Sequence, residues 1–505
     1  MGNPSIWKEK AESTSFAPLR NNIHVDVAIV GGGITGLTAA YLLSKAGKKV
    51  AVLEARKIGE GATGYSTGNL YSTIGGEGLH TVKSKFDEER MKEVVESRTT
   101  AINLIEQIIN EYQIQCDFER VPWYLFTEDG VRQSFVEKER KAAETCGLAV
   151  SDQIPFNTPV AYGFGVANQA QFNPLQYVVG LAKSIHSESC MVYELTSVTD
   201  AKDGEPCTLT TAGGTVTATK VIMATHSPKG IYLVHTSLGP YREYALGVKL
   251  NEEYPAPGIY WDMRETEHYS MRTYETPKGK ILMVLGEMHK VGQKENNEEC
   301  FENLEAFLRE RFKVASIEYK WSAQQFKPAD SIPFIGLSSG NKNIYIATGF
   351  AADGLTYGTL ASMIISDEIS GIQNKWSKTY SASRITPIAS ATEFIKENVN
   401  VAAELIKDYL AKEDIDKFSE LAIGDGKIIE IEGKKRGAYR GEDGRLHVVS
   451  AVCTHMGCIV HFNQTEKSWD CPCHGSRFSV DGEVLEGPAF LPLKKSIAND
   501  EETKK

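Results

Sequence analysis

Hydrophobic and polar positions along the chain fall into three regimes. The first opens with the apolar run Val25–Val30, a cluster of glycines, a helical pattern over LTAAYLLSKAG closed by Gly47, and a second apolar run, KVAVLEA. This predicts a β–α–β unit. Residues 88–115 predict a long amphipathic helix, with Met91, Val94, Val95, Ile102, Leu104, Ile105, Ile108 and Ile109 as its apolar positions. VPWYLFTE reads as a strand and KERKAAETCG as a helix, and the chain then runs from a strand through Asn173-Pro174 into another helix. TSVTD, CTLTTAGGTVTATK and VIMATHSP predict a β-meander ending in an apolar strand. Such a return fits a chain that leaves a nucleotide-binding domain and re-enters it.

From about residue 231 to 328 the pattern changes to antiparallel β. Tyr232, Tyr241, Tyr244, Tyr260, Trp261, Tyr269 and Tyr274 are interleaved with Arg242, Arg264, Arg272 and His289, and the helix NEECFENLEAFLRERF interrupts them. A sheet with one face on a core and the other on a cavity is expected. The aromatics suit either face, and no residue is singled out as catalytic. Asn343–Ala347 is then an apolar strand, Thr348 to Gly354 a Gly-rich turn, and a small-residue helix begins near Leu355. Residues 372–415 read as a connector. Its helical part carries Phe394, Ile395, Leu405, Ile406 and Leu410 on a modest apolar stripe expected to dock across the first domain. A third, β-rich regime begins near 416, with no long disordered tether before it.

Length and composition narrow the class. At 505 residues the chain exceeds one core and suggests about two to four domains. The net charge of −11 argues against a nucleic-acid partner. No apolar run reaches membrane-spanning length, and the N-terminus has neither a signal-peptide core nor the myristoylation pattern, since position 6 is Ile. A soluble, cytoplasmic protein is expected. Four of the nine cysteines lie between 453 and 473; Cys116, Cys146, Cys190, Cys207 and Cys300 are scattered and read as structural thiols.

Two motifs carry chemistry. Gly31-Gly32-Gly33-Ile34-Thr35-Gly36 sits between the first strand and its helix, and Glu54 ends the second strand eighteen residues after Gly36. Together they make the dinucleotide fingerprint in its required context: glycines for the turn and the close approach, a helix N-terminus for phosphate, an acid for ribose hydroxyls. The Gly-rich stretch that follows, with Arg56, Gly61, Ala62, Thr63, Ser66, Gly68 and Asn69, reads as a segment running along an extended cofactor, or as a surface loop. The helix near Leu355 could face the pyrimidine edge of a flavin, or follow an ordinary turn. The second motif is Cys453-x-His455, fifteen residues, then Cys471-x-x-His474. Two thiolates and two imidazoles so spaced can hold a [2Fe–2S] cluster; zinc is the alternative, although C-x-H does not suit a finger.

The first 370 residues resemble the D-amino-acid oxidase-like, or glycine oxidase-like, family of FAD-dependent oxidoreductases. Gly31, Gly33, Gly36, Glu54, the Gly61–Asn69 segment, Asp330–Gly336 and Gly349–Gly354 carry the resemblance. It implies FAD contacts also from Ile34, Thr35, Ala55, Val198, Phe350, Asp353, Leu355 and Thr356, and oxidation of a C–N bond in an amine or amino acid. Asp353 stands where many members have the His of a Gly-His-Gly flavin contact. The last 90 residues resemble the Rieske domain of cytochrome bc1 type through CTHMGC, CPCHGS and Gly487-Pro488-Ala489. That resemblance implies Cys453, His455, Cys471 and His474 as [2Fe–2S] ligands, a Cys458–Cys473 disulfide, unusual for a cytoplasmic protein, and a hydrogen bond from Ser476 to a cluster sulfur. The family usually has Tyr at the position of Phe478. The missing hydroxyl predicts a potential below that of respiratory Rieske centres, within the roughly −150 to +300 mV Rieske span.

The whole chain resembles the fused FAD oxidoreductase–Rieske proteins of bacteria. The expected fold is an α/β Rossmann-like FAD-binding domain (20–230 and 329–371), an antiparallel β substrate domain (231–328 with parts of 110–175), a helical connector (372–415) and an all-β Rieske domain (416–497). The expected function is an FAD-dependent dehydrogenase of an amine or amino acid that sends electrons through the cluster to an external acceptor. Such a pairing converts two-electron into one-electron transfer. Two alternatives stand beside it: an NAD(P)H-dependent reductase feeding an oxygenase, although no second G-x-G-x-x-G is found, and a non-catalytic redox sensor or assembly factor.

Overall fold

The computed structural model describes residues 4–156, 158–410, 415 and 418–496, with the side chains of 387–389 and 410 outside the description. The first sheet is built on Ile23–Val30, whose last four residues are all buried. Parallel neighbours Val50–Leu53 and Gly214–Met223 flank it, followed outward by Cys190–Tyr193 on one side and Ile344–Thr348 on the other. Near-continuous apolar runs are what a parallel sheet covered on both faces requires. The meander joins it as expected, with Val198–Lys202 and Cys207–Thr211 antiparallel beside Gly214–Met223.

Two helices on one face of this sheet position the site. Ile34–Lys45 begins immediately after the glycines, and Gly354–Ile369 packs against it. The contact is close: a Cβ on Gly358 would lie 2.5 Å from Thr35 Oγ1, and Ser362 Oγ donates to the Thr35 carbonyl at 2.6 Å.

The second sheet runs in the order 314–328, 238–250, 279–290, 268–276, 259–263, 119–127, 162–171 and 69–70. The sequence pattern predicts antiparallel pairing throughout. The structure departs from this at one junction, where Ile259–Met263 runs parallel to Glu119–Thr127. Those strands come from distant stretches with no hairpin to fix their sense. The helix Glu298–Arg311 covers one face, burying Phe301, Leu304, Phe307 and Leu308 against Leu246, Val248, Leu282 and Val284.

The C-terminal unit is all β. Gly426–Ile431, Lys434–Arg440 and Leu446–Ser450 form one sheet; His461–Asn463, Ser468–Asp470, Arg477–Ser479 and Val484–Glu486 form the other. The connecting helix Pro387–Leu410 corrects a second expectation. Ile395 and Ile406 are each 61% exposed, so most of the apolar stripe does not dock on the first domain. Polar contacts hold the helix instead: Glu397 to Lys290 at 2.8 Å, Gln293 to Asn400 at 2.8 Å, and Asp408 to His461 at 3.0 Å. Val401 and Leu405 pack on the C-terminal core. The helix therefore lies along the seam between the second sheet and the C-terminal unit. Leu410's side chain and residues 411–414 lie outside the described residues. No helix among the described residues is long and apolar enough to cross a membrane.

Candidate functional site

The glycine turn is shaped by close approaches. Gly31 has φ +112°, and a Cβ there would meet the Ala224 carbonyl oxygen at 2.4 Å; one on Gly36 would lie 2.0 Å from the Gly31 carbonyl oxygen. Glu54 ties the turn to the second strand by accepting the Gly32 N–H at 2.7 Å and the Arg56 N–H at 2.8 Å. A carboxylate offers about four acceptor positions, so others stay free for a ligand. Gly36→Ala is expected to open this turn and yield protein with its Rieske spectrum but little flavin. A flavin-to-iron ratio equal to wild type would contradict that.

A single elongated cavity runs from this turn. Gly31, Gly33, Ile34, Thr35, Glu54, Ala55, Arg56, Gly61, Ala62, Thr63, Ser66 and Val198 line it towards one end, and Phe350, Gly354 and Leu355 also line it. Gly36, Gly68, Asn69 and Thr356 do not. Gly36 packs helix on strand, and the Gly68 carbonyl accepts from the buried Arg272 Nη1 at 2.9 Å. Asn69 Nδ2 reaches Ser270 Oγ at 3.4 Å, and Thr356 is buried inside its helix. Gly349 and Asp353 line a second, smaller cavity that shares Glu243, Gln325, Phe350, Ala351 and Ala352 with the first. Asp353 does not stand free to face a flavin, because its carboxylate is held by Arg98 at 3.0 Å and by the Tyr71 hydroxyl. An elongated cavity with a dinucleotide fingerprint and a helix N-terminus in its walls fits FAD.

The four ligand candidates converge. Cys453 and Cys471 are buried free thiols close enough to bias each other's ionisation. The Nδ1 atoms of His455 and His474 are both buried with no hydrogen-bond partner, and the two rings lie 5.0 Å apart. Two thiols beside each other and two orphaned imidazole nitrogens on adjacent rings are the donor set a Rieske cluster needs. Hydrogen bonds from the Cys471 thiol, the His455 and Met456 N–H groups and the Ser476 hydroxyl favour thiolate at Cys453, against its burial. Burial keeps His474 neutral, at about 4. Cys458 and Cys473 form a disulfide between the two loops. Phe478 is fully buried in the same core. Phe478→Tyr is expected to raise the midpoint potential in a redox titration; no change, or a fall, would refute the role given to the missing hydroxyl.

The cluster loops face inward. His455 Nε2 lies 3.1 Å from the Gly230 carbonyl, and the buried His235 ring sits 5.1 Å from His455 and 6.2 Å from His474. Gly230 N–H donates to the Pro488 carbonyl at 2.9 Å, and Gln324 Nε2 to the Gly475 carbonyl at 2.8 Å. A charged network closes the seam. Arg242 and Ser322 of the second sheet each reach Glu466 at 2.5 Å, and Glu466 and Glu486 pair with Arg477 at 2.7 and 3.0 Å.

The two centres also share a wall. Val484, Leu485, Glu486 and Gly487 of the C-terminal unit line the flavin cavity. Ala224, Thr225, His226 and Lys229 line it too, and the same segment ends at Gly230, on His455. His226 is half-buried, holds φ +67°, and meets Phe326 edge-on with ring centroids 4.9 Å apart. Such a backbone for a non-glycine residue marks a segment fixed by its surroundings. None of Arg242, Glu466, Arg477, Glu486, His226, Lys229, His235 or Glu243 belongs to a motif. The one signal in the sequence was the adjacent pair Arg242-Glu243 inside a strand, which sends a charge to each face.

A family profile described as FAD dependent oxidoreductase matches residues 26–368, and one described as Rieske [2Fe-2S] domain matches residues 412–496. The sequence is 34% identical to the Rieske 2Fe-2S iron-sulfur protein YhfW of Bacillus subtilis strain 168, over 97% of each chain. It is 26% identical to the gamma-glutamylputrescine oxidoreductase of Escherichia coli K12, over 72% of this chain and 88% of that one. Glycine oxidase from Geobacillus kaustophilus shares the fold, with a TM-score of 0.56 at 17% identity over 72% of this chain and 99% of that one.

Proposed function

The chain belongs to the FAD dependent oxidoreductase family and carries a C-terminal Rieske [2Fe–2S] domain, and from that premise we propose that it is a dehydrogenase of an amine or amino-acid C–N bond whose electrons leave through the cluster to an external acceptor. When bound, FAD accepts the hydride and the [2Fe–2S] cluster carries electrons singly. The observation that carries the proposal is the shared wall: Val484–Gly487 border the flavin cavity, and the segment from Ala224 to Gly230 runs from that cavity to a cluster ligand. An oxidase that passed its electrons only to oxygen would have no use for such a junction.

The chain's own residues divide the work. Gly31–Thr35 and Glu54 hold the dinucleotide end; Phe350, Leu355, Gln325 and Glu243 border the other end, where the second cavity opens. Pro228 and Gly230 hold His235 and His455 through their carbonyls, at 3.0 and 3.1 Å. Arg242, Glu466 and Arg477 hold the two halves in register. Similarity to the gamma-glutamylputrescine oxidoreductase supports a nitrogen-bearing donor. Cytoplasmic placement belongs to the same proposal.

The test is an anaerobic titration of the purified holoprotein with amines, amino acids and NADH, read in the flavin bands. An amine or amino acid is expected to bleach them and NADH to leave them oxidised. Bleaching by NADH alone would turn the reading to a reductase. Failure of every C–N donor would sink it.

A further inference from the structure

The second cavity opens beside the first at the end away from the dinucleotide turn, so it is where a reductant would reach the flavin. Its titratable groups are unevenly satisfied. Asp353 is neutralised by Arg98 at 3.0 Å. Glu243 is 5% exposed, lines both cavities and accepts no hydrogen bond from a described residue; the nearest basic group is His268 Nε2, at 3.7 Å. His268 itself is stacked on Trp261, with ring centroids 5.2 Å apart. Glu77 adds a second carboxylate to the same wall.

The remaining charges do not offset this. Lys327 also lines the second cavity, but it stands opposite Gly239 on the paired strand while Glu243 stands opposite Ala323. Four residues of strand separate them, about 13 Å at the usual rise. Its ammonium lies 5.2 Å from the centre of the Tyr241 ring. The arginines of this region are occupied: Arg98 by Asp353, Arg242 by Glu466, and Arg272 by the Thr67 and Gly68 carbonyls. Among the described residues lining the second cavity there is no arginine fork to receive a carboxylate. A buried carboxylate whose one basic neighbour is an imidazole beyond hydrogen-bond reach is poorly compensated, and a compact cation with several donors removes that cost.

We propose that Glu243 is the substrate's cation site: the second cavity selects a donor carrying an alkylammonium group and discriminates against one carrying a carboxylate at that position. This rests on the reading of the second cavity as the substrate side of the flavin, and it narrows that reading from amine or amino acid to amine. Binding alone is involved, so it can be tested without turnover.

The probes are n-butylammonium, n-butyrate and n-butanol, titrated into the oxidised holoprotein and followed by perturbation of the flavin bands. Butylammonium is expected to bind at least about tenfold tighter than either of the others, the ratio of one charge-assisted contact. Glu243→Gln is expected to erase that preference and Glu243→Asp to keep most of it. Flavin content and the Rieske spectrum report whether each variant is folded; if Glu243→Gln does not load flavin, the wild-type series and Glu243→Asp decide. Equal binding of butyrate or butanol by the wild type, a preference that survives in Glu243→Gln, or its loss in Glu243→Asp would overturn the proposal. Failure of amines to reduce the flavin would bear on the proposed reaction and leave this result standing.

Discussion

Glu466→Gln is expected to lower stability by about 3–5 kcal/mol and to loosen the C-terminal unit from the second sheet. The Glu466 side chain is only 11% exposed and receives Arg242 at 2.5 Å, Arg477 at 2.7 Å and Ser322 at 2.5 Å. An amide cannot neutralise two guanidiniums. Arg242, only 2% exposed, would keep Glu486 at 3.7 Å as its charged neighbour, whereas Arg477 retains Asp470 and Glu486. Removing one partner of a buried network strands the others, the origin of the estimate.

The same residue fixes a pH dependence. Burial pushes the Glu466 carboxyl up, but Arg242 and Arg477 outweigh it and bring it down to about 2 from an ordinary value near 4.5. The stabilisation is complete above about pH 4.5, lost progressively as pH falls towards 2, and worth about 3 kcal/mol. Urea unfolding followed by Rieske circular dichroism should show wild type and Glu466→Gln far apart at neutral pH and converging in acid. Coincident curves at pH 7 would mean that the network does not hold the seam.

Cys453→Ser should have the larger effect on activity. It removes one of the four proposed cluster ligands, so the Rieske absorbance should disappear. Turnover with one-electron acceptors should fall at least about a hundredfold, roughly 2.7 kcal/mol of barrier. Anaerobic bleaching of the flavin by substrate should stay within about threefold, because the flavin cavity keeps its own walls. That split between flavin reduction and onward transfer separates a relay from an ornament of the fold. Full activity with every acceptor tried would reject the relay.

The local parts of the structure were legible in the sequence, and the non-local parts were not. The β–α–β unit could be read because strand, glycines, helix and Glu54 are consecutive. The α/β, β-rich and all-β regimes followed from periodicity, the dinucleotide site and the cluster from two compact motifs, and FAD from the family resemblance. The seam could not be read, because it exists only where the strands 238–250 and 314–328 pair. There residues alternate between the cavity side, such as Glu243 and Gln325, and the C-terminal side, such as Arg242 and Ser322. Alternation shows that a strand has two faces; it does not say what each face meets. The connecting helix misled for a related reason, since Ile395 and Ile406 carry an amphipathic signal that Glu397 and Asn400 override with polar contacts. The resemblance implied a flavin contact from Asp353, and no pattern in the sequence showed that Arg98, from a helix far upstream, pairs with its carboxylate.

The central claim is that electrons pass from the flavin to the cluster across the seam. An anaerobic stopped-flow mixture of holoprotein with a reducing amine tests it directly, with the flavin and Rieske bands followed together. The account predicts that the flavin bleaches first and that the cluster is then reduced at the rate at which flavin absorbance partly returns. A bleached flavin beside a cluster that stays oxidised, or a cluster reduced equally fast in flavin-free protein, would contradict it.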